Sequence, residues 1–153
     1  MTECSLLRNE LDVESATMLA KIGTEKHIML SGMKQDQTEA NFLHQGLQPA
    51  DAILIASDLP FMAVLTKLVL SQNYSLKDEG AITLGEALKS NKTLKELELR
   101  GCDIGAEGGK ALAAALRTAV LTKLDARFNY LGDEAKKVLR DAAEGREGFQ
   151  LLI

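Results

Sequence analysis

Aromatic side chains are scarce in this chain of 153 residues: they make up 4% of it, and tryptophan is absent. Hydrophobic residues still account for 46% of the sequence, so an interior has to be packed from aliphatic side chains. The length suits one domain with a sizeable core.

Concentrated positive charge is lacking as well. The formal net charge is −4 at pH 7, and no stretch is rich in lysine and arginine. Binding to nucleic acid or to an anionic membrane needs a strong positive field, so we expect neither as a partner. No apolar run approaches the ~20 residues that span a bilayer, and the N-terminal residues lack the charged and apolar regions of a signal peptide. We therefore predict a cytoplasmic protein.

Motifs for catalysis and for metal binding are missing. The two histidines, His27 and His44, belong to no acid–histidine–nucleophile spacing, and the patterns CxxC and HExxH do not occur. The glycine-rich stretch GAEGG at 105–109 lacks the GxxxxGK pattern, followed by Ser or Thr, of a phosphate-binding loop. We therefore expect no enzyme activity, no cofactor and no metal ion.

A repeated pattern of leucines is what the sequence does contain, and residues 94–116 show it most clearly. Leu97 and Leu99 lie two positions apart, as one face of a short strand requires. Glu107 follows where a helix would begin, and the glycines at 108–109 would let the chain turn tightly. The next apolar positions have helical spacing: Ala111, Leu112, Ala115 and Leu116. One unit therefore predicts one strand and one helix, which cannot bury their own apolar face alone.

Similar units recur about every 28 residues on both sides. The segments LTKLVLSQN at 65–73 and LKELELRGCDI at 94–104 follow the pattern LxxLxLxxN/C, which resembles a leucine-rich repeat. The spacing and the helical half IGAEGGKALAAAL resemble the ribonuclease-inhibitor-like, intracellular subclass. The resemblance implies an α/β fold: a leucine-rich repeat solenoid in a short horseshoe arc, with a parallel sheet on the concave face and helices on the convex face.

The register of the repeats predicts a single leucine-rich repeat domain over 1–153, with about five repeats, a terminal strand and an insertion at 24–37. Cys4 and Leu6 align with Leu97 and Leu99, so the chain enters the first repeat at its strand. We expect six parallel strands on one face and five helices on the other. The insertion should form a short extended piece over the convex side or over the end of the stack.

Local signals place the ends of several elements. The first helix should run from about Asp12 to Ile22, with Gly23 as a left-handed stop. Pro49 suits the start of the second helix, which should end early or distort at Asp58.

The ninth position of each repeat should point inward and hydrogen-bond the backbone of adjacent turns, as it does in leucine-rich repeats. The two cysteines also fall at inward positions, so we expect small core residues in a reducing compartment rather than a disulfide. The ninth positions are Asn9, Gln45, Asn73, Cys102 and Asn129, and the other cysteine is Cys4.

The outward face of the strands carries alternating charge at the third position of successive repeats. These side chains would stand side by side about 4.8 Å apart. Two interpretations stay open: a self-neutralising wet surface, or a charged patch that binds a protein partner on the concave face. The third positions are Glu3, Glu39, Lys67, Glu96, Lys123 and Leu151. The candidate protein-binding residues are Lys67, Glu96, Glu98, Arg100, Lys123, Asp125, Arg127 and Phe128.

The resemblance implies a non-catalytic module that binds another protein through this face. Two alternatives remain. The same subclass includes activators of a small nuclear-transport GTPase, for which Arg100 and Arg127 are the available arginines, and the chain could also be a structural fragment of a longer repeat array. The sequence names no partner.

The C-terminal residues form an apolar end to the predicted stack. Phe149 and Leu152 are expected to keep the register of Leu121 and Leu124 in a last strand that no helix follows. An edge strand exposes unpaired backbone groups, so we predict a homo-oligomer through this edge, or a cut end of a longer array.

Overall fold

The structure is a computed structural model that describes residues 2–153. Short strands and helices alternate along the chain, as the repeats predict. The strands are β1 (Thr2–Glu3), β2 (Ile28–Met29), β3 (Glu39–Asn41), β4 (Lys67–Val69), β5 (Glu96–Glu98), β6 (Lys123–Asp125) and β7 (Gln150–Leu152). The helices are α1 (Val13–Lys26), α2 (Pro49–Asp58), α3 (Lys77–Ser90), α4 (Ala106–Leu116) and α5 (Gly132–Ala143), with a 3₁₀ helix at Leu59–Phe61.

Strands β3 to β7 form one parallel sheet in sequence order. Their central leucines are in register, since Leu68 lies opposite Leu97, Leu97 opposite Leu124 and Leu124 opposite Leu151. A helix connects each strand of this sheet to the next, and consecutive helices pack against one another. The molecule is therefore an α/β leucine-rich repeat solenoid, as the sequence predicts.

Strand β1 does not join this sheet. It pairs in parallel with β2, so residues 2–153 contain a two-stranded sheet in addition to the five-stranded one. The N–H groups of Cys4 and Leu6 continue the pairing by donating to the carbonyls of Met29 and Leu30 at 2.9 and 2.8 Å. The prediction of six strands on one face is wrong, because the insertion supplies β2 as the partner of β1 instead of lying over the convex side or the end of the stack.

The carboxylate of Asp58 holds the insertion against the second repeat. This residue ends α2, as predicted, and is buried. Its oxygens accept hydrogen bonds from the Leu30 N–H at 2.9 Å, the Ser31 N–H at 2.8 Å and the Ser31 hydroxyl at 2.5 Å. Burial raises the pKa of the Asp58 carboxyl above its usual value, and these hydrogen bonds oppose that rise.

Helix α1 is longer than predicted. It continues through Gly23 to Lys26 and stops at His27, whose φ of 55° is left-handed. A Cβ atom at Gly23 would lie 2.8 Å from Leu30 Cδ1, so the glycine serves close packing against the insertion rather than a helix stop.

Glycines in α4 have a similar role. Gly108 and Gly109 lie inside the helix and not in a turn, which corrects their predicted role. A Cβ at Gly109 would lie 2.9 Å from Leu131 Cδ2 and 3.0 Å from Ala135 Cβ, so this glycine lets α5 approach α4 closely.

The two cysteines differ in their surroundings. Cys102 is buried, as predicted, and burial raises the pKa of its thiol to about 11. Cys4 is exposed, so the prediction of a core residue is wrong for it. It directly follows β1, which has β2 as its one strand partner within residues 2–153. Both thiols are free.

The last strand also departs by one residue from the predicted register. Leu151, not Leu152, lies opposite Leu124, and Gln150 lies opposite Lys123. The prediction that Leu151 takes the outward third position in the last strand is therefore wrong. The pleat assigns that place to Gln150.

None of the helices in the described chain is long and apolar enough to cross a membrane.

Candidate functional site

The candidate site lies on the outward side of β4, β5 and β6 and on the loops that follow them. Asn73 and Asn129 fix where these strands end. The Asn129 carbonyl oxygen accepts from the N–H groups of Cys102 and Ile104 at 2.9 and 3.0 Å, and its amide donates to the Leu99 carbonyl at 2.8 Å. Each asparagine thus joins its own repeat to the preceding one.

Asn73 repeats this arrangement one step earlier. Its side-chain oxygen accepts from the N–H groups of Gln45 and Leu47, both at 3.0 Å. Cys102 stands between the two asparagines and donates its thiol to the Leu70 carbonyl at 3.2 Å. Asn9 donates to the Leu6 carbonyl at 2.9 Å, so it bonds its own repeat and not a neighbouring one. The predicted bonds to adjacent repeats are therefore confirmed for Asn73, Cys102 and Asn129. The prediction is wrong for Asn9, which is exposed and bonds only its own repeat, and the Gln45 side chain makes no hydrogen bond within residues 2–153.

Two lysines and two glutamates form a closed group of ion pairs on the strands. Lys67 Nζ lies 3.2 Å from Glu98 Oε1 and 3.8 Å from Glu96 Oε2. Lys123 Nζ lies 3.6 and 3.5 Å from the same two oxygens. The hydrogen bond to Glu98 and the charge of this carboxylate raise the pKa of Lys67 above its usual value. We call these four residues the strand cluster, and it carries no net charge.

Asp125 and Arg127 form a second pair on β6 and the loop after it. The guanidinium donates to both carboxylate oxygens, from Nε at 3.0 Å and from Nη2 at 2.7 Å. Burial alone would raise the pKa of Asp125, but the hydrogen bonds and charge of Arg127 outweigh it and hold the pKa below the usual value. Asp125 thus stays ionised beside Glu98, its neighbour in the register.

Arg100 and Phe128 form a third contact, at the edge of the patch. The Arg100 guanidinium carbon lies 4.6 Å from the centre of the Phe128 ring. Within residues 2–153, no carboxylate is within ion-pair distance of Arg100. The ring itself is 71% exposed. A cation stacked on an exposed ring can still pair with an anion from outside.

The structure thus brings all eight predicted residues onto one surface. Six of the eight line a groove of about 450 Å³, to which Glu96 and Phe128 do not contribute. The other lining residues come from the earlier repeats: Asn41, Leu43, Val69, Ser71 and Gln72. Asn41 and Val69 occupy the fifth position of their repeats, and Leu43 and Ser71 the seventh, which the alternation of a strand places on the outward face.

Two tyrosines near this groove were also missed. Tyr74 and Tyr130 are 52% and 76% exposed. They follow the ninth-position asparagines directly, at a loop position with no regular pattern, so periodicity could not identify them. The one indication in the sequence was that large aromatic side chains are rare in this chain, so two of them in loops stand out.

The glycine-rich stretch at 105–109 meets an anion from the chain itself. Asp78 Oδ1 accepts from the N–H groups of Gly105 and Gly108 at 2.7 and 2.9 Å. The start of α4 is therefore occupied by an internal carboxylate. In the part of the chain that the structure covers, no group of three or more His, Cys, Asp or Glu side chains is arranged to hold a metal ion.

Comparisons with known proteins agree with this architecture. A family model described as Leucine Rich repeat matches residues 90–113. The centrosomal protein of 78 kDa of Mus musculus is 35% identical over 100 residues, or 61% of this chain and 13% of that protein. Its Xenopus tropicalis counterpart is 40% identical over 79 residues, or 51% of this chain and 11% of that protein. The chain thus matches only about an eighth of these relatives' length.

Two solved structures share the fold. The leiomodin-1 actin-binding site 2 superposes with a TM-score of 0.67 and 18% identity, covering 93% of this chain and 79% of that one. The C-terminal domain of Caenorhabditis elegans tropomodulin superposes with a TM-score of 0.65 and 18% identity, covering 94% and 83% of the two chains. At such identity the similarity concerns the fold. Together with the family match over residues 90–113 and the repeated geometry, it supports a leucine-rich repeat fold for this chain.

Proposed function

We propose that this chain is a non-catalytic protein-binding module and that its partner lies against the outward face of β4, β5 and β6. The observation that carries the proposal is the groove itself: a continuous, partly exposed surface of charged and polar side chains held by regular strands. Concave strand faces of solenoids offer one side chain per strand at fixed spacing, which suits recognition of a protein surface.

The strand cluster can be tested without unfolding the protein. Replacing Lys67 and Lys123 by Gln removes four partly exposed ion pairs. Pairs of this kind contribute about 0–1 kcal/mol each, so the melting temperature should change little. The change leaves Glu96 and Glu98 unpaired, so the affinity of a partner that uses this face should change at least about tenfold, falling for an acidic partner surface and rising for a basic one.

The measurement is a titration of the purified chain against a protein first isolated with it from native extract. The matched control replaces Lys89 and Lys110, which pair with Glu86 and Glu107 on helices α3 and α4 of the convex side. Equal binding by the strand variant and the control variant would contradict the proposed face.

The GTPase-regulator hypothesis remains a prediction with a defined test. The guanidinium of Arg127 pairs with the Asp125 carboxylate, whereas that of Arg100 stacks on the Phe128 ring. Arg100 is therefore the arginine that could contact a bound GTPase. The chain should then accelerate GTP hydrolysis in a panel of GTP-loaded small GTPases, and Arg100→Ala should abolish the effect. An unchanged hydrolysis rate across the panel would remove this alternative.

The location can be tested independently of the binding face. The relatives reported above are named centrosomal proteins, so we propose the centrosome as a place where the chain acts within the cell. A fluorescently tagged chain should then concentrate with a centrosomal marker. A uniform distribution in dividing and resting cells would contradict this part of the proposal.

A further inference from the structure

The strand cluster and the loops after the strands differ in how far their charges are already satisfied. Lys67, Lys123, Glu96 and Glu98 neutralise one another, and Arg127 neutralises Asp125. Such pairs have to be separated or screened before they can bind anything else. The loops at the carboxyl ends of the strands contain the groups that have no such partner.

These loops form one edge, because the carboxyl ends of parallel strands lie on the same side of a sheet. Three of the chain's six Phe and Tyr residues are exposed here, at 52%, 71% and 76%. We call this edge the strand-end rim, and it consists of His44, Tyr74, Arg100, Phe128 and Tyr130.

Contacts connect the rim across neighbouring repeats. The rings of His44 and Tyr74 meet edge to face, with their centres 6.4 Å apart. Gly101 connects the next two repeats. Its N–H donates to the Arg127 carbonyl at 3.0 Å, which places Gly101 beside the loop that carries Phe128. A Cβ at Gly101 would lie 3.8 Å from Tyr74 Cε1, so the ring lies close over this backbone. Because Gly101 has no side chain, its backbone leaves the neighbouring face of the Tyr74 ring uncovered at this point.

We propose that the strand-end rim is the anchoring part of the binding surface and that it takes a protein segment with an exposed carboxylate. The carboxylate pairs with Arg100 above the Phe128 ring, and a neighbouring apolar side chain of the segment packs on the Tyr74 ring beside Gly101. Tyrosine and arginine dominate the binding energy of protein interfaces because they combine a large apolar area with directed polar groups. This inference rests on the proposed function and specifies its partner.

The charge of the surroundings favours a protein over a nucleic acid. Aromatic side chains beside arginines also stack on the bases of single-stranded nucleic acids. Here the chain has a net charge of −4, and Glu98 and Asp125 lie on the strands directly below the rim. A polyphosphate backbone would meet these carboxylates, whereas a single carboxylate needs only the one available arginine.

The test selects random short peptides, displayed on phage, against the purified chain and measures the enriched peptides by fluorescence anisotropy. Enriched peptides should contain Asp or Glu next to an apolar residue. Arg100→Gln and Phe128→Asn should each weaken binding at least about tenfold, and Asn tolerates the left-handed φ of 57° at position 128. Arg100→Lys keeps the charge but not the planar stacking, so it should bind with intermediate affinity.

The other outcomes separate this inference from the proposed function. If the rim variants bind normally while Lys67→Gln with Lys123→Gln does not, the inference is wrong and the proposed face stands. If neither set changes binding, or if no peptide is enriched, both are wrong. Enrichment of basic peptides, or tighter binding of a labelled single-stranded oligonucleotide than of the acidic peptides, would also overturn the inference. Circular dichroism of every variant shows that it is folded.

Discussion

At the scale of single residues, the buried Asp58 joins two segments that are distant in the sequence. It lies at the end of α2 and holds two backbone N–H groups and a hydroxyl of the insertion. A buried donor that loses its acceptor costs about 1–3 kcal/mol. The residue therefore decides whether the insertion stays packed against the second repeat.

Replacing Asp58 by Ala should lower the free energy of unfolding by at least about 2 kcal/mol, because two buried N–H groups lose their acceptor. Denaturant titration followed by circular dichroism measures it. Asp36→Ala, an exposed change in the same insertion, serves as the control and should have almost no effect. A loss for Asp58→Ala no larger than the control would show that the insertion is held by its apolar residues.

Asp58 also gives a pH dependence whose sign is fixed. Its pKa is raised in the folded state, so the folded protein keeps the proton at pH values where the unfolded chain has lost it. Stability therefore falls as the pH rises from about 3.8 through the folded pKa. Denaturant titration of Asp58→Asn should lack this component. The free energy of unfolding of the parent relative to Asp58→Asn should therefore fall as the pH rises through that interval and stay constant outside it.

At the scale of one element, the central strand β5 shows how a repeat is stabilised. Leu97 is fully buried and lies between Leu68 and Leu124 in the register. One side chain thus fills space that belongs to three repeats. In a solenoid each repeat contacts mainly its neighbours, so contacts between adjacent repeats account for most of its stability.

Leu97→Ala should destabilise the protein by about 2–5 kcal/mol, since it removes a large buried side chain and leaves a cavity among its neighbours. Thermal and denaturant unfolding measure the change. Ile82→Ala on α3 is the matched control, because Ile82 is also aliphatic but exposed. Melting temperatures within a degree or two for the parent and Leu97→Ala would contradict the register.

The sequence predicted the elements that obey a period and missed those that do not. Leu97 and Leu124 each stand between two charged residues, so the pleat of β5 and β6 could be predicted residue by residue. In the last strand apolar residues stand at both alternating positions, so two registers fitted equally and the wrong one was chosen. Tyr74 and Tyr130 lie in loops, where periodicity contains no information.

At the scale of the whole molecule, the two ends of the solenoid are built differently. At the C-terminal end, Arg146 stacks on Phe149 and donates to the carbonyls of Leu116, Ala119 and Leu121. These bonds satisfy the end of α4 and the turn after it. At the N-terminal end, the large apolar side chains Val13, Met18 and Ile22 of α1 stay exposed. Such differences between ends depend on which side chains happen to meet, and a repeat pattern does not predict them.

Self-association through the edge of β7 stays a prediction, and the structure allows it to be tested. Phe149, Leu151 and Ile153 are partly buried against the core, and the other edge of this strand has no partner within residues 2–153. Two such edges could pair antiparallel about a two-fold axis. Light scattering with size-exclusion chromatography at micromolar concentration should then show a dimer.

Ile153→Lys should convert that dimer to a monomer, because a charged edge residue opposes strand pairing. Thr118→Lys, at an exposed turn, is the control. Deleting 149–153 should both dissociate the dimer and lower the melting temperature. A strict monomer whose stability survives this deletion would show that the residues are neither an interface nor part of the core.

The separate pairing of β1 with β2 gives the molecule a preferred place to come apart. No strand hydrogen bonds join this pair to the sheet of β3 to β7 within residues 2–153. Side chains join the two parts instead: α1 packs on α2, Met29 and Leu30 pack in the core, and Asp51 and Asp58 accept backbone hydrogen bonds. Mechanical pulling or thermal fluctuation would therefore release the first 30 or so residues as one unit while β4, β5 and β6 stay closed. The first unit can then rearrange, or exchange its neighbour, without disturbing the surface on which a partner would rest.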